Sequence, residues 1–243
     1  MKKYYYDLHI HSCLSPCGDD DSTPNSIAGM GELNSLSIMA LTDHNTCKNC
    51  PAFFEACRRH GILPVAGMEL TTAEDIHAVC LFPSLHNAME FDEFLQSRRI
   101  LFPNRKDIFG RQLICDSEDN VIGEEENLLT NATDISIEEA PSLVESFGGI
   151  CYPAHIDRDA NGIISVLGTF PENAGFTCAE LHNGEKAEEY AENFSLKDKR
   201  LIISSDAHYL WDIKECSDFL YMEEITDGNK AGERVIEYLR KGL

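Results

Sequence analysis

Short apolar runs alternate with stretches of helical periodicity along most of the chain. Residues 4–10 are rich in β-formers and read as a first strand, followed by a polar loop over 12–22. Thr23-Pro24 is a helix start, with Thr as cap and Pro at the first helical position, and the helix is expected to run to about residue 36. Apolar runs at 38–41, 62–66 and 76–82 predict strands. The segment 51–60 predicts a helix ending at Gly61, and 84–99 carries helical periodicity. The region 100–135 is less regular, and within it 111–128 reads as a hairpin turning near Asp119-Asn120. Residues 136–147 carry a capping-box pattern, Ser136 with Glu139, and Pro141 is expected to bend that helix from inside. Strands at 150–152, 177–181, 201–204 and 219–222 follow, with helices over 186–194 and from about 230.

Strands alternating with helices favour an α/β fold with a mostly parallel sheet. A length of 243 residues suits a single barrel, and no internal repeat or interdomain linker breaks it. The expectation is one domain over 1–243, with an irregular insert at 100–135 as a candidate lid and a C-terminal strand and helix over 211–243. In a closed α/β barrel the site lies at the C-terminal ends of the strands, so residues with chemistry should fall at strand exits.

They do fall there. Period-two alternation puts Asp7, His9 and His11 on one side of the first strand, where two imidazoles can grip one metal. The bland alternative is a surface strand with incidental histidines. Thr42-Asp43-His44-Asn45 follows the run at 38–41, Glu69 follows 62–66, and His77 opens the run ending at Phe82. A carboxylate such as Glu69 can bridge two divalent ions, which an imidazole cannot. His155 follows 150–152, and Asp206-Ala207-His208 repeats the two-apart logic after 201–204. His60 and His86 read as helix-surface residues, while His182 sits at a further strand exit.

Composition narrows the ligand. The formal net charge is -22, from 42 acidic and 20 basic residues, which argues against a long nucleic-acid groove. It suits an acidic site that gains cations, and a short nucleotide stays open because bound metals reverse the local field. Without a basic N-terminal region leading into an apolar run, and without an apolar run near 18 residues, neither a signal peptide nor a membrane span is expected. The 10 cysteines are therefore expected to be reduced thiols in a cytoplasm. Cys47 and Cys50 form a C-x-x-C, with Cys13, Cys17 and Cys57 nearby; a redox pair, a structural zinc or an iron–sulfur site would need more than this single pair, so buried thiols are favoured.

Taken in order, Asp7-Leu8-His9-Ile10-His11-Ser12, Leu41-Thr42-Asp43-His44-Asn45, Glu69, His77, His155 and Ser205-Asp206-Ala207-His208 resemble the motifs of the PHP family, named for polymerase and histidinol phosphatase. The resemblance runs from about residue 5 to 210. It implies a distorted (β/α)7 barrel holding two to three divalent ions, with His9, His11, His44, Glu69, His77, His155, Asp206 and His208 as ligands. The family also uses an Asp or His after its first motif; in the departing loop 15–21 this is assigned to Asp19, with Asp20 as the alternative. His and carboxylate donors suit Zn, Fe or Mn better than Ca.

The chemistry expected is hydrolysis of a small phosphoester, a phosphomonoester or nucleotide, by a metal-bridging hydroxide. Arg158 is placed to reach a phosphate, against the equally weighted alternative of pairing with Asp157 or Asp159. His182 is a candidate to orient substrate or move a proton, and Asp43 to hold an imidazole in its ligating tautomer. The rival readings are a nuclease or polymerase-linked editing module and a non-catalytic metal-binding module.

Overall fold

The computed structural model describes residues 1–171 and 174–241, so 172–173 and 242–243 of the expected single domain lie outside the described residues. The chain begins with β1 (Lys2–Asp7), α1 (Pro24–Leu33), β2 (Ile38–Leu41), α2 (Cys50–His60), β3 (Leu63–Thr71), β4 (His77–Phe82) and α3 (Leu85–Leu95). It continues through α4 (Lys106–Phe109), β5 (Leu113–Cys115), β6 (Val121–Glu124), α5 (Ala140–Ser146), β7 (Ile150–Pro153) and α6 (Ile163–Leu167). It ends with β8 (Cys178–Leu181), α7 (Ala187–Asn193), β9 (Arg200–Ile203), β10 (Phe219–Met222) and α8 (Ala231–Arg240).

Six strands form one curled sheet in the order β10-β1-β2-β3-β4-β7, and β8-β9 form a separate parallel pair. The β1–β2 and β2–β3 ladders are parallel, and β2 between them is buried on both faces. The β3–β4 and β4–β7 ladders are antiparallel, which corrects the expectation of a mostly parallel sheet. This reversal matters for the site. Because β4 runs backwards, its first residue, His77, lies at the same end as the last residues of β3 and β7. His77 is thus a strand entry and not an exit, and Glu69 lies inside the longer β3 and not after it.

Beyond the ladders, Ile156 N–H donates to Glu180 O across from β7 to β8 (2.8 Å). His11 N–H donates to Ala207 O (2.9 Å), with a parallel bridge between Ile10 and Ala207, so the segment after β9 returns to the end of β1.

Alternation along the strands divides the apolar residues between two clusters. Tyr4, Tyr6, Leu8, Ile38, Ala40, Val65, Val79 and Tyr152 pack inside the curl with Val235, Ile236 and Leu239 of α8. Met39, Leu41, Met68, Cys80 and Phe82 pack outward against α1, α2, α3 and α5. Helix α8 approaches the end opposite the histidines. A Cβ on Gly232 would lie 2.5 Å from Phe82 O, so only glycine allows that approach.

Helix α5 starts only at Ala140, where Pro141 occupies its first turn and costs nothing; the expected internal bend is absent because Pro lacks only an N–H that would be unpaired there. The hairpin β5–β6 turns at Asp119, whose φ is 63°, and is pinned to the loop after β1 by Leu113 N–H to Cys13 O (2.8 Å). Among the described residues no helix is long and apolar enough to cross a membrane.

Candidate metal centre

Glu69 is the hub. Its Oε1 lies 3.3 Å from His9 Nε2, 3.0 Å from His77 Nδ1 and 3.0 Å from His155 Nε2. Its Oε2 lies 3.3 Å from His11 Nε2 and 3.0 Å from His44 Nδ1. Asp206 Oδ1 faces His11 Nε2 at 3.1 Å and His9 Nε2 at 3.4 Å. His208 stacks on His11 with ring centroids 4.4 Å apart, while its Nδ1 donates to Asp206 O at 2.8 Å. The structure therefore brings together eight of the ligands expected from the sequence: His9, His11, His44, Glu69, His77, His155, Asp206 and His208. Their donor atoms fall into three groups: His9, His11, Glu69 and Asp206; His44, Glu69 and His77; and His11, His44 and His208.

Backbone geometry aims these groups. His155 and Asp206 take left-handed conformations, φ 28° and 51°, two residues after β7 and three after β9. Such positions cost roughly 1–2 kcal/mol for residues with a Cβ, a cost that turns each side chain toward the hub. Asn45, at φ 50°, holds its loop through Nδ2 bonds to Leu129 O (2.7 Å) and Asn131 O (3.0 Å).

The donor set fits bound cations. His9 Nδ1 is hydrogen-bonded to Glu180 Oε1 (2.7 Å), and His11 Nδ1 to Ser15 Oγ (2.9 Å). Those partners place the ring protons on Nδ1 and leave two Nε2 lone pairs facing each other at 3.1 Å, beside two carboxylates. Buried lone pairs and negative charge at that spacing repel unless protons or metal ions lie between them. Glu69 Oε2, His44 Nδ1 and His155 Nδ1 are also buried without an aligned hydrogen bond.

The ionisation tendencies agree. Burial would raise the Glu69 carboxyl, but the charges of His77, His9 and His44 hold it well below its usual range. Burial opposes charge on His9 and His11, yet Glu180, Glu69 and Asp206 raise His9 well above the usual imidazole value, and Asp206 and Glu69 raise His11 to about 9. Burial lowers His44 well below that value, and burial with the His11 charge lowers His208 to about 4.

Glu180 and Ser15 were not singled out from the sequence. The available signal for Glu180 was a charged residue in the buried strand Cys178-Ala179-Glu180-Leu181. Asp43 does not touch an imidazole. It accepts from Ser12 N–H, Ser12 Oγ and Ser15 Oγ, each at 2.7 Å, and Ser15 carries the link on to His11.

Asp19 stays outside the donor groups: its Oδ1 accepts from Asp21 N–H (2.8 Å), although its own N–H reaches His208 O (2.9 Å). The Asp20 carboxylate pairs with Arg111. Arg158 turns away from Asp157 and Asp159 and donates to Asp206 Oδ2, with its other nitrogen 3.1 Å from His182 Nδ1. Both line a cavity of about 490 Å³ with Asp206, Asp212 and Lys214. His60 and His86 pair with Glu32 and Glu90 away from the centre. Cys47 and Cys50 are buried, and each thiol donates to Gly67 O.

The PHP domain family profile matches residues 7–146, more than half of the chain. The chain belongs to the PHP family. His155, Asp206 and His208 lie beyond the matched stretch, and the geometry above joins them to the same centre as the ligands within it.

Among solved structures, the lesion-specific endonuclease PfuEndoQ from Pyrococcus furiosus superposes with a TM-score of 0.66 at 16% identity, over 99% of this chain and 56% of that one. The PHP chain thus spans just over half the length of that endonuclease. A candidate metal-dependent phosphoesterase from Bifidobacterium adolescentis matches with a TM-score of 0.59 at 17% identity, over 98% of this chain and 96% of the other. An amidohydrolase from Chromobacterium violaceum matches with a TM-score of 0.59 at 17% identity, over 96% of each chain. At these identities the likeness concerns the fold. Comparison with curated proteins found no match. Family membership and the donor cluster together support a metal-dependent hydrolase. The endonuclease neighbours leave the expectation against a long nucleic acid without support.

Proposed function

We propose that this PHP protein is a metal-dependent phosphoesterase acting on a small phosphorylated substrate. The observation that carries the reading is the Glu69 carboxylate, which meets five imidazoles, three at Oε1 and two at Oε2, and belongs to two of the donor groups. That arrangement suits a carboxylate bridging two cations.

In this reading His9, His11, Glu69 and Asp206 would hold one ion, and His44, Glu69 and His77 a second, with His155 beside Glu69 Oε1. A third position lies among His11, His44 and His208, and Asp19 completes it by releasing Asp21. Zn, Fe or Mn suit these donors. Bound there, such ions would supply Lewis acidity and would lower the pKa of a coordinated water to about 7.

The protein's own groups do the rest. Glu180 and Ser15 keep His9 and His11 in the tautomer with Nε2 free, and Asp43 fixes Ser15. Arg158 exchanges its bond to Asp206 for the oxygens of the phosphoryl group, a bidentate match of guanidinium to phosphate. His182 holds Arg158 and stands where a proton can pass to the leaving oxygen. This reading takes β1, β2, β3, β4, β7, β8 and β9 as the seven strands of a distorted (β/α)7 barrel; backbone hydrogen bonds from Ile156 to Glu180 and from His11 to Ala207 support it where the ladders stop.

Elemental analysis of protein purified without added metal, combined with a phosphoester panel, tests the reading. Two to three transition-metal ions per chain and phosphoester turnover that His9→Ala and Asp206→Ala abolish, with the fold retained, are expected. A fully metallated chain inert across the panel overturns it.

A second reading, a polynucleotide as the phosphoester, draws on the fold shared with Endonuclease Q, which has been solved in complex with a 27-mer duplex carrying an abasic lesion. Including single-stranded and duplex DNA in the panel separates the two.

A further inference from the structure

The cavity beside Asp206, about 490 Å³, has room for a sugar-sized group next to a phosphoryl group. Its lining divides in two by its hydrogen bonds. One part is Arg158, which holds Asp206 and His182 and so belongs to the metal centre. The other is built on Lys214 and the turn that carries it. Lys214 Nζ donates to Ile203 O and to Asp218 Oδ2 (3.2 Å), and lies 4.4 Å from the centre of the Tyr6 ring. Its backbone N–H donates to Asp7 Oδ2 at 3.4 Å, and Ser205 N–H donates to Asp7 Oδ1 at 3.1 Å. Asp7 is wholly buried, so this wall is fixed to β1 from beneath.

Two polar groups of the wall are left without a partner. Ser204 lines the cavity, is 1% exposed, and its Oγ makes no hydrogen bond. A buried hydroxyl in that state is costly unless a ligand meets it. The Asp212 carboxylate also lines the cavity and has neither a cation nor a hydrogen-bond donor among the described residues.

We propose that this cavity takes the leaving group of the substrate, and that this group is neutral and hydroxyl-rich, a polyol or sugar recognised by Ser204 and Asp212. The inference rests on the phosphoesterase reading and deepens it by naming the substrate class. A hydroxyl both donates and accepts, so neighbouring hydroxyls satisfy the acceptor-only Asp212 and the Ser204 Oγ together. A second anionic group fits poorly, because Lys214 is already committed to Asp218 and Ile203 O, while Asp212 adds uncompensated negative charge. A flat or apolar group fits poorly too. Among the described residues Ile203 is the one aliphatic side chain of the lining and His182 the one ring, and an alkyl group would leave Ser204 and Asp212 unpaired.

The test compares glycerol 3-phosphate with propyl phosphate, which has the same three-carbon chain without the hydroxyls, and adds ethanolamine phosphate. Turnover of each by the zinc-loaded chain is measured, together with its affinity by calorimetry. Glycerol 3-phosphate is expected to exceed propyl phosphate in kcat/KM and in affinity by roughly tenfold or more. That ratio is expected to fall toward one in S204A and in D212N. Because Ser204 Oγ bonds to nothing in the chain, S204A is expected to keep the circular dichroism spectrum of the wild type. Equal values for the two phosphates, or a ratio that neither variant moves, overturn the proposal. A preference for ethanolamine phosphate overturns it as well, since Asp212 would then be reading an ammonium group. Should no phosphoester be hydrolysed, the phosphoesterase reading fails on its own, and the affinity ratio still decides what the cavity takes.

Discussion

The metal centre and the rim beside it are built on opposite terms. In the centre, Glu69, His9 and His11 are almost wholly buried, and Glu180, Ser15 and Asp43 fix the two rings from behind. At the rim, Arg158 is half-exposed and His182 is exposed. A buried polar group without its partner is costly, so the centre has little freedom to vary. Rim groups keep water as an alternative partner and can exchange contacts with a ligand. The contrast teaches that chemistry here is held by burial, while recognition is left to side chains that can be released.

Three perturbations sharpen or break that contrast. The largest effect is expected from E180Q, which keeps the size of the side chain but removes the charge behind His9. Metal affinity, measured by chelator competition, should fall by about 10–100-fold with an unchanged circular dichroism spectrum. An E180Q protein that holds metal as tightly as wild type would show that the centre does not depend on its buried support.

R158A comes next. Loss of charge-assisted bonds worth about 1.5–3 kcal/mol should raise KM for a phosphoester roughly tenfold or more while metal content stays unchanged, and R158K should recover only part of it. Loss of metal in R158A would place Arg158 in the centre and dissolve the distinction.

The smallest effect concerns pH in the metal-free chain. His11 is raised from 6.5 to about 9, so its stabilisation is complete below 6.5 and is lost as pH rises through 9. His208 is lowered from 6.5 to about 4, so stability is lost as pH falls from 6.5 toward 4. Thermal melts should therefore give a maximum Tm near pH 6.5, lower by a few degrees on either side. Metal loading should remove the alkaline decline. A metal-free Tm that rises steadily from pH 6 to 9 would contradict the charge coupling at the centre.

Much of the fold was legible because local pattern governs local structure. The apolar runs at 38–41 and 219–222 coincide with β2 and β10, and Gly61 ends α2 in a left-handed conformation. Part of the donor cluster was legible for the same reason, since spacing by two puts His9 and His11 on one side of an extended chain. The direction of β4 was not legible. Its apolar run reads the same in either orientation, and only pairing with β3 and β7 decides it. Pro141 was misplaced because a capping pattern at Ser136 and Glu139 suits a turn as well as a helix; Ser136 Oγ accepts from Glu139 N–H at 3.1 Å, one residue before α5 begins.

By itself the sequence determined the donor types, their order, and the strands that present them, because these follow from side-chain chemistry and a period of two. Only the tertiary structure decided that Glu180 supports His9 from 171 residues away, that Ser15 connects Asp43 to His11, and that Arg158 reaches Asp206 in preference to its own neighbours. Those choices depend on which strands lie side by side once the sheet curls, and long-range pairing leaves no mark in local spacing.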